Sequence, residues 1–133
     1  TLRGCGQIDV VWPSKPVSPG ELMALRRTCH VTIDEIVTGA FHQVSIEGLC
    51  AGNVVINRAD FFSKAMMAQC AKCDELPPFV HADGATIQDV LLHLAGAEAH
   101  TAELQLASHR YFTQHLTAET LVRRFVSIYE TLH

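Results

Sequence analysis

Basic charge is scarce in this chain: 10 lysines and arginines stand against 14 aspartates and glutamates, scattered rather than gathered on one stretch. That excludes a dedicated nucleic-acid binder, whose electrostatic footprint is a basic face. No apolar run approaches the roughly 18–20 residues that span a bilayer, so no transmembrane segment is expected. A basic-then-apolar leader is also missing at Thr1, so no signal peptide is expected. Glycine and proline, 8 and 5 of 133 residues, are too few for a fibrous chain, and no repeat, low-complexity tract or linker interrupts it. The five cysteines (Cys5, Cys29, Cys50, Cys70, Cys73) form an odd set, four of them in apolar or helical contexts rather than in a loop-rich stapled scaffold. A reducing cytoplasm is the compartment this usage predicts.

What is present is apolar material, 48% of residues against 18% charged, enough for one globular domain over 1–133. The β-branched run Ile8 to Trp12, closed by Pro13, predicts a first strand. Ser18-Pro19-Gly20-Glu21 spells a capping box with proline at the first helical position and predicts a helix from Pro19 to Thr28. His30 to Asp34 predicts a second strand, Val44 to Ala51 a short helix stopped by Gly52, and Asn53 to Asn57 a third strand. Asp60 to Cys73 reads as helix, ended before Pro77-Pro78, with a short extended piece at Phe79 to His81. The remainder is helical, capped at Asp83 or Thr86 and again at Thr117. In the last helix Leu121, Val122, Phe125, Ile128 and Leu132 form one stripe that should dock on a core. Strands and helices in alternation predict an α/β fold, a parallel sheet covered on both faces.

Chemistry concentrates in Ile33 to Ile56. A strand ending in acidic residues, a loop with Gly39 and a short helix place the free amides of Gln43, Val44 and Ser45 at the carboxyl edge of a parallel sheet, where such sheets bind ligands. A helix start attracts phosphate through its unpaired N–H groups and dipole. Glu47, on the same helix, is placed to accept hydrogen bonds from ribose hydroxyls.

The block Gly39-Ala40-Phe41-His42-Gln43-Val44-Ser45-Ile46-Glu47-Gly48-Leu49-Cys50-Ala51-Gly52-Asn53-Val54-Val55-Ile56 resembles the nucleotide-binding part of retaining, family-4-like GT-B glycosyltransferases, sharing Phe41, Glu47, Ala51, Gly52, Val55 and Ile56 with their pattern. The resemblance implies a three-layer Rossmann-like C-terminal lobe, incomplete at its N-terminus, with C-terminal helices. It assigns Glu47 to the ribose of a nucleotide-sugar, the amides near Gln43, Val44 and Ser45 to its diphosphate, and Gly39, Phe41 and His42 to the vicinity of the donor sugar. Among the departures from the pattern, Gly39 stands for a glutamate and His42 for a glycine. The family's arginine and lysine that neutralise the diphosphate would lie upstream of Thr1. The acceptor would be bound mainly by an N-terminal lobe, and this segment alone would be inactive. No metal and no cofactor are implied, the nucleotide-sugar being a substrate whose leaving diphosphate is stabilised by positive groups and dipoles.

Two other readings share the topology: a non-enzymatic flavodoxin-like binding or regulatory domain, and a sugar-nucleotide epimerase of the same two-lobed fold. Cys70-x-x-Cys73, with His81 nearby in sequence, has the spacing of a zinc or redox pair. It lacks a second pair and falls on a helix, which favours ordinary buried thiols. The eight histidines include no HExxH, and His93 and His100 read as scattered. Arg123 and Arg124 read as a solvated helix face. Apolar surface made to meet absent strands or a partner lobe would promote self-association.

Overall fold

The computed structural model describes residues 8–132. Within them the chain is mixed α/β, a small parallel sheet with helices against it. Helix α1 (Pro19–Arg26) starts on the capping box: the Ser18 hydroxyl accepts the Glu21 amide at 3.3 Å, and the Glu21 carboxylate accepts the Ser18 amide at 2.8 Å. Strand β1 (Val31–Ile33), helix α2 (Gln43–Ala51), strand β2 (Val54–Asn57), helix α3 (Phe61–Cys70) and strand β3 (Val80–His81) follow. The strands lie in the order β1-β2-β3, all parallel, with Val31 opposite Val54 and Ile56 opposite Val80. Helices α4 (Ile87–Gly96) and α5 (Glu98–Tyr111), a π-helical turn at Phe112–Leu116 and helix α6 (Ala118–Thr131) complete the described chain.

Side chains of β2 alternate between two cores, as the pleat requires. Val54 and Ile56 pack with Ala82 and with Leu91 and Leu94 of α4, while Val55 faces Leu49 of α2, Met67 of α3 and Tyr111 of α5. Every residue of β2 is buried, which explains its unbroken apolar run. Polar Asn53, just before it, is fully buried and satisfied on its donor side, giving hydrogen bonds to the Arg26 carbonyl at 3.0 Å and the Thr32 hydroxyl at 2.8 Å. It ties α1 to β1.

Local stops fall where their chemistry demands. Gly52, at φ 75°, ends α2 in the left-handed region. Asp60 caps α3 through the Ser63 amide at 2.7 Å, and Thr117 caps α6 through the Thr120 amide at 3.2 Å. Before α4, Asp83 supplies the carboxylate, accepting the Ala85 and Thr86 amides at 2.9 and 3.0 Å.

Three expectations need correction. Ile8 to Trp12 forms no strand: Ile8 leans on the Val54 core, but Val10, Val11 and Trp12 are exposed and pair with no strand. Propensity alone does not make a strand without a neighbour to accept its hydrogen bonds. The extended piece expected over Phe79 to His81 supplies the remaining strand, β3. Helix α3 ends at Cys70, well before the prolines, because Lys72 turns left-handed at φ 48° and the Cys73 amide reaches back to the Ala68 carbonyl at 3.0 Å. Finally, α6 buries none of its residues, so its apolar stripe does not dock on a core. No helix among the described residues is long and apolar enough to cross a membrane.

Candidate functional site

Loops 34–42, 58–60 and 82–86 all leave the carboxyl ends of the strands, so they gather on one edge of the sheet. Gly39 joins the first two. At φ +85° it adopts a backbone that favours glycine, and its carbonyl accepts the Asp60 amide at 2.9 Å and the Ser63 hydroxyl at 3.1 Å. Gly39 is therefore a turn residue that shapes the edge.

Asp34, at the end of β1, is the hub. One carboxylate oxygen accepts the His42 amide and the Ser45 hydroxyl, both at 2.7 Å, and the other stands 3.4 Å from His42 Nδ1. Ser45 Oγ in turn accepts from Asn57 Nδ2 at 2.9 Å, and Asn57 Oδ1 accepts the Ala59 amide at 3.0 Å. Ser45 and Asn57 are fully buried. Burial pushes the Asp34 carboxyl up, but the bonds from Ser45 and from the His42 amide and ring outweigh it and hold it below the usual aspartate value.

Each residue expected to bind donor has a definite place. His42 is the N-cap of α2, but its side chain does not cap; its own amide donates to Asp34 at 2.7 Å. Ser45 turns its hydroxyl inward, and its amide is bonded to the His42 carbonyl at 3.0 Å. Of the expected diphosphate amides, those of Gln43 and Val44 remain without an acceptor among the described residues. Phe41 packs into the core, its ring 5.5 Å from that of Phe79, and supports the loop from beneath. Glu47 has both oxygens engaged, one with Arg26 of α1 at 2.8 Å and one with the Gln43 amide group at 2.9 Å.

The edge is rich in fixed negative charge. The Thr38 hydroxyl and loop amides hold Glu35 low, the Ser63 amide and hydroxyl hold Asp60 low, and the Thr86 hydroxyl and amide hold Asp83 low. Arg58 answers them from the β2–α3 loop, its guanidinium donating to the Val37 carbonyl and its backbone amide to the Glu35 carbonyl at 2.9 Å. Asp34, Asn57 and Arg58 were not singled out from sequence. Their signal was positional: polar residues that close apolar strands of a parallel sheet fall on the ligand edge.

The remaining motifs sort themselves by burial. Cys73 turns inward, 3.5 Å from the Tyr111 hydroxyl, but is only partly buried, and Cys70 is exposed, so neither of the pair is a fully buried thiol. All four described cysteines are free, and Cys5 lies outside the described residues. His93 and His100 are not scattered: their rings lie 6.0 Å apart across the α4–α5 corner. No group of three or more metal-ligating side chains converges among the described residues. Arg123 is solvated beside Glu119, while Arg124 is partly buried. Compared with known proteins, the chain matches no family model, no curated protein and no solved structure.

Proposed function

We propose that this chain is the nucleotide-sugar-binding part of a GT-B glycosyltransferase, most of a Rossmann-like C-terminal lobe that presents an NDP-sugar to an acceptor held by an N-terminal lobe. The observation that carries the reading is the β1–α2 connection. It turns at Gly39 over the carboxyl edge of a parallel sheet and leaves the Gln43 and Val44 amides free at the start of α2, one turn before Glu47. Free amides and the helix dipole attract a diphosphate, and each oxygen of Glu47 keeps a lone pair for a ribose hydroxyl beside its present donor. Arg58 is the cation this chain places on the same edge.

Donor affinity in this segment is weak, because Asp34, Glu35, Asp60 and Asp83 are ionised around the same edge. Titrating the chain with UDP, GDP and ADP, each to millimolar concentration, is expected to move the backbone amide signals of Gln43, Val44 and Glu47. Silence from all three nucleotides overturns the reading. A second reading, a non-enzymatic flavodoxin-like binding or regulatory domain, is favoured by one observation: the Asp34 carboxylate already sits at the start of α2, so the helix dipole meets a negative charge without a ligand. It predicts that silence.

A further inference from the structure

Neither nucleotide binding nor the sheet itself requires a buried carboxylate linked to an exposed imidazole, yet the edge has one. The Asp34 side chain is 5% exposed and the His42 side chain 58%. Asn57 donates to Ser45, so the Ser45 hydroxyl proton is committed to Asp34, and Asn57 Oδ1 is itself occupied by the Ala59 amide. Asn57, Ser45 and Asp34 are thus each bonded on both sides, and the relay ends at the His42 ring. Asp34 Oδ2 is saturated by the His42 amide and Ser45, and among the described residues Oδ1 faces one partner, the His42 ring at 3.4 Å.

We propose that Asp34 is a positioning residue that keeps a proton on His42 Nδ1, and that His42 Nε2 is the proton-exchanging contact this edge offers to the diphosphate of a nucleotide. The ligand half of this inference rests on the donor reading above; the tautomer half does not.

A buried carboxylate oxygen without a donor is costly, and the one donor within reach of Oδ1 is the imidazole Nδ1–H. The partner of one ring nitrogen decides the state of the other, so Nε2 carries the free lone pair and points away from Asp34. Uptake of one proton from water then makes an imidazolium, bonded to Asp34 on one side and able to donate from Nε2 to a phosphate oxygen on the other. No covalent bond is broken. The surrounding charges make this proton matter. Glu35 on the same loop also feels His42, Asp60 and Lys64 lie at the start of α3, Arg58 holds the Val37 carbonyl, and Glu47 is paired with Arg26. An added positive charge at His42 offsets part of the excess of carboxylates against an incoming dianion.

Ring-nitrogen NMR of the 133-residue chain near pH 8 reads the tautomer directly. The wild type is expected to show protonated Nδ1 and bare Nε2 at His42, and D34N to lose that preference while keeping its fold. A wild-type ring protonated on Nε2, or one that D34N leaves unchanged, overturns the positioning role. Nucleotide titrations with UDP, GDP and ADP then test the contact. Binding to the wild type should tighten by about three- to tenfold more than binding to H42Q as pH falls from about 8 to 5.5. An equal gain in H42Q, where only the phosphate titrates, overturns the contact and leaves the donor reading standing. No binding of any nucleotide to the wild type overturns the donor reading and the ligand named here, while the ring spectra still judge Asp34.

Discussion

Gly48 has no side chain because α2 leaves no room for one. A Cβ built there would meet Val55 Cγ2 at 2.8 Å and the Thr32 Cβ and Cγ2 at 3.1 and 3.2 Å, all on short, stiff strand side chains beneath the helix. This contact lets α2 sit close enough for Ser45 to reach Asp34 and Asn57. In Gly48→Ala the helix-propensity gain of about 1 kcal/mol opposes an overpacking cost of about 1–3 kcal/mol, so a net loss is expected. It should read as a lower urea midpoint at unchanged slope; a rise in midpoint contradicts the close approach. Asp34 makes a second prediction at this scale. Its carboxyl is held below the ordinary aspartate value in the fold, so its contribution is complete above about pH 4 and is lost as pH falls through the folded value. D34N should therefore be less stable than wild type near pH 7, with the gap closing on acidification. A gap that stays constant from neutral to about pH 3 contradicts the assignment, because Asp34 is then not the group being protonated.

Helix α6 is amphipathic without being docked. Its cap at Thr117 and its three-and-four spacing of apolar residues were legible, since both are local. What covers the stripe was not, because periodicity shows that a face is apolar and says nothing of its partner. Val122, Phe125 and Leu132 are 56%, 61% and 72% exposed. The helix is held instead by its N-terminal end, where Leu121 lines a groove with Leu116 of the π-helical turn. Burying an aromatic in a core makes its truncation cost about 3–5 kcal/mol, whereas surface changes stay within about 0.5 kcal/mol. The double variant F125Q/I128Q should fall in the second class by urea denaturation. A loss of several kcal/mol shows that the stripe is covered in solution.

At the scale of the whole molecule, the short-range punctuation was readable and the long-range pairing was not. Ser18, Gly52 and Asp60 act on neighbours a few residues away, and the elements they start or stop were placed closely. The Asp34 relay joins residues separated by 8, 11 and 12 positions, and it exists only once β1 and β2 lie side by side under α2. Ile8 to Trp12 failed for the complementary reason: its residues suit a strand, but among the described residues no strand lies alongside to pair with it. The same lack of cover has a consequence for association. A groove of about 510 Å³ runs between α2, α3 and the start of α6, lined by Phe41, Ile46, Phe62, Met66, Leu116 and Leu121. Leu121 belongs to both the groove and α6, so the groove continues into the exposed stripe, and Phe61 and Phe62 stand 72% and 71% exposed at its side. Contiguous apolar surface of this extent drives association in water. Sedimentation velocity on the chain at rising micromolar concentration should show a growing average mass, reversed in the variant F62Q/F125Q without loss of fold. Because apolar burial weakens on cooling, the association should also diminish toward 4 °C. A mass that stays monomeric at every concentration, or association that F62Q/F125Q leaves untouched, places the contact elsewhere on the molecule.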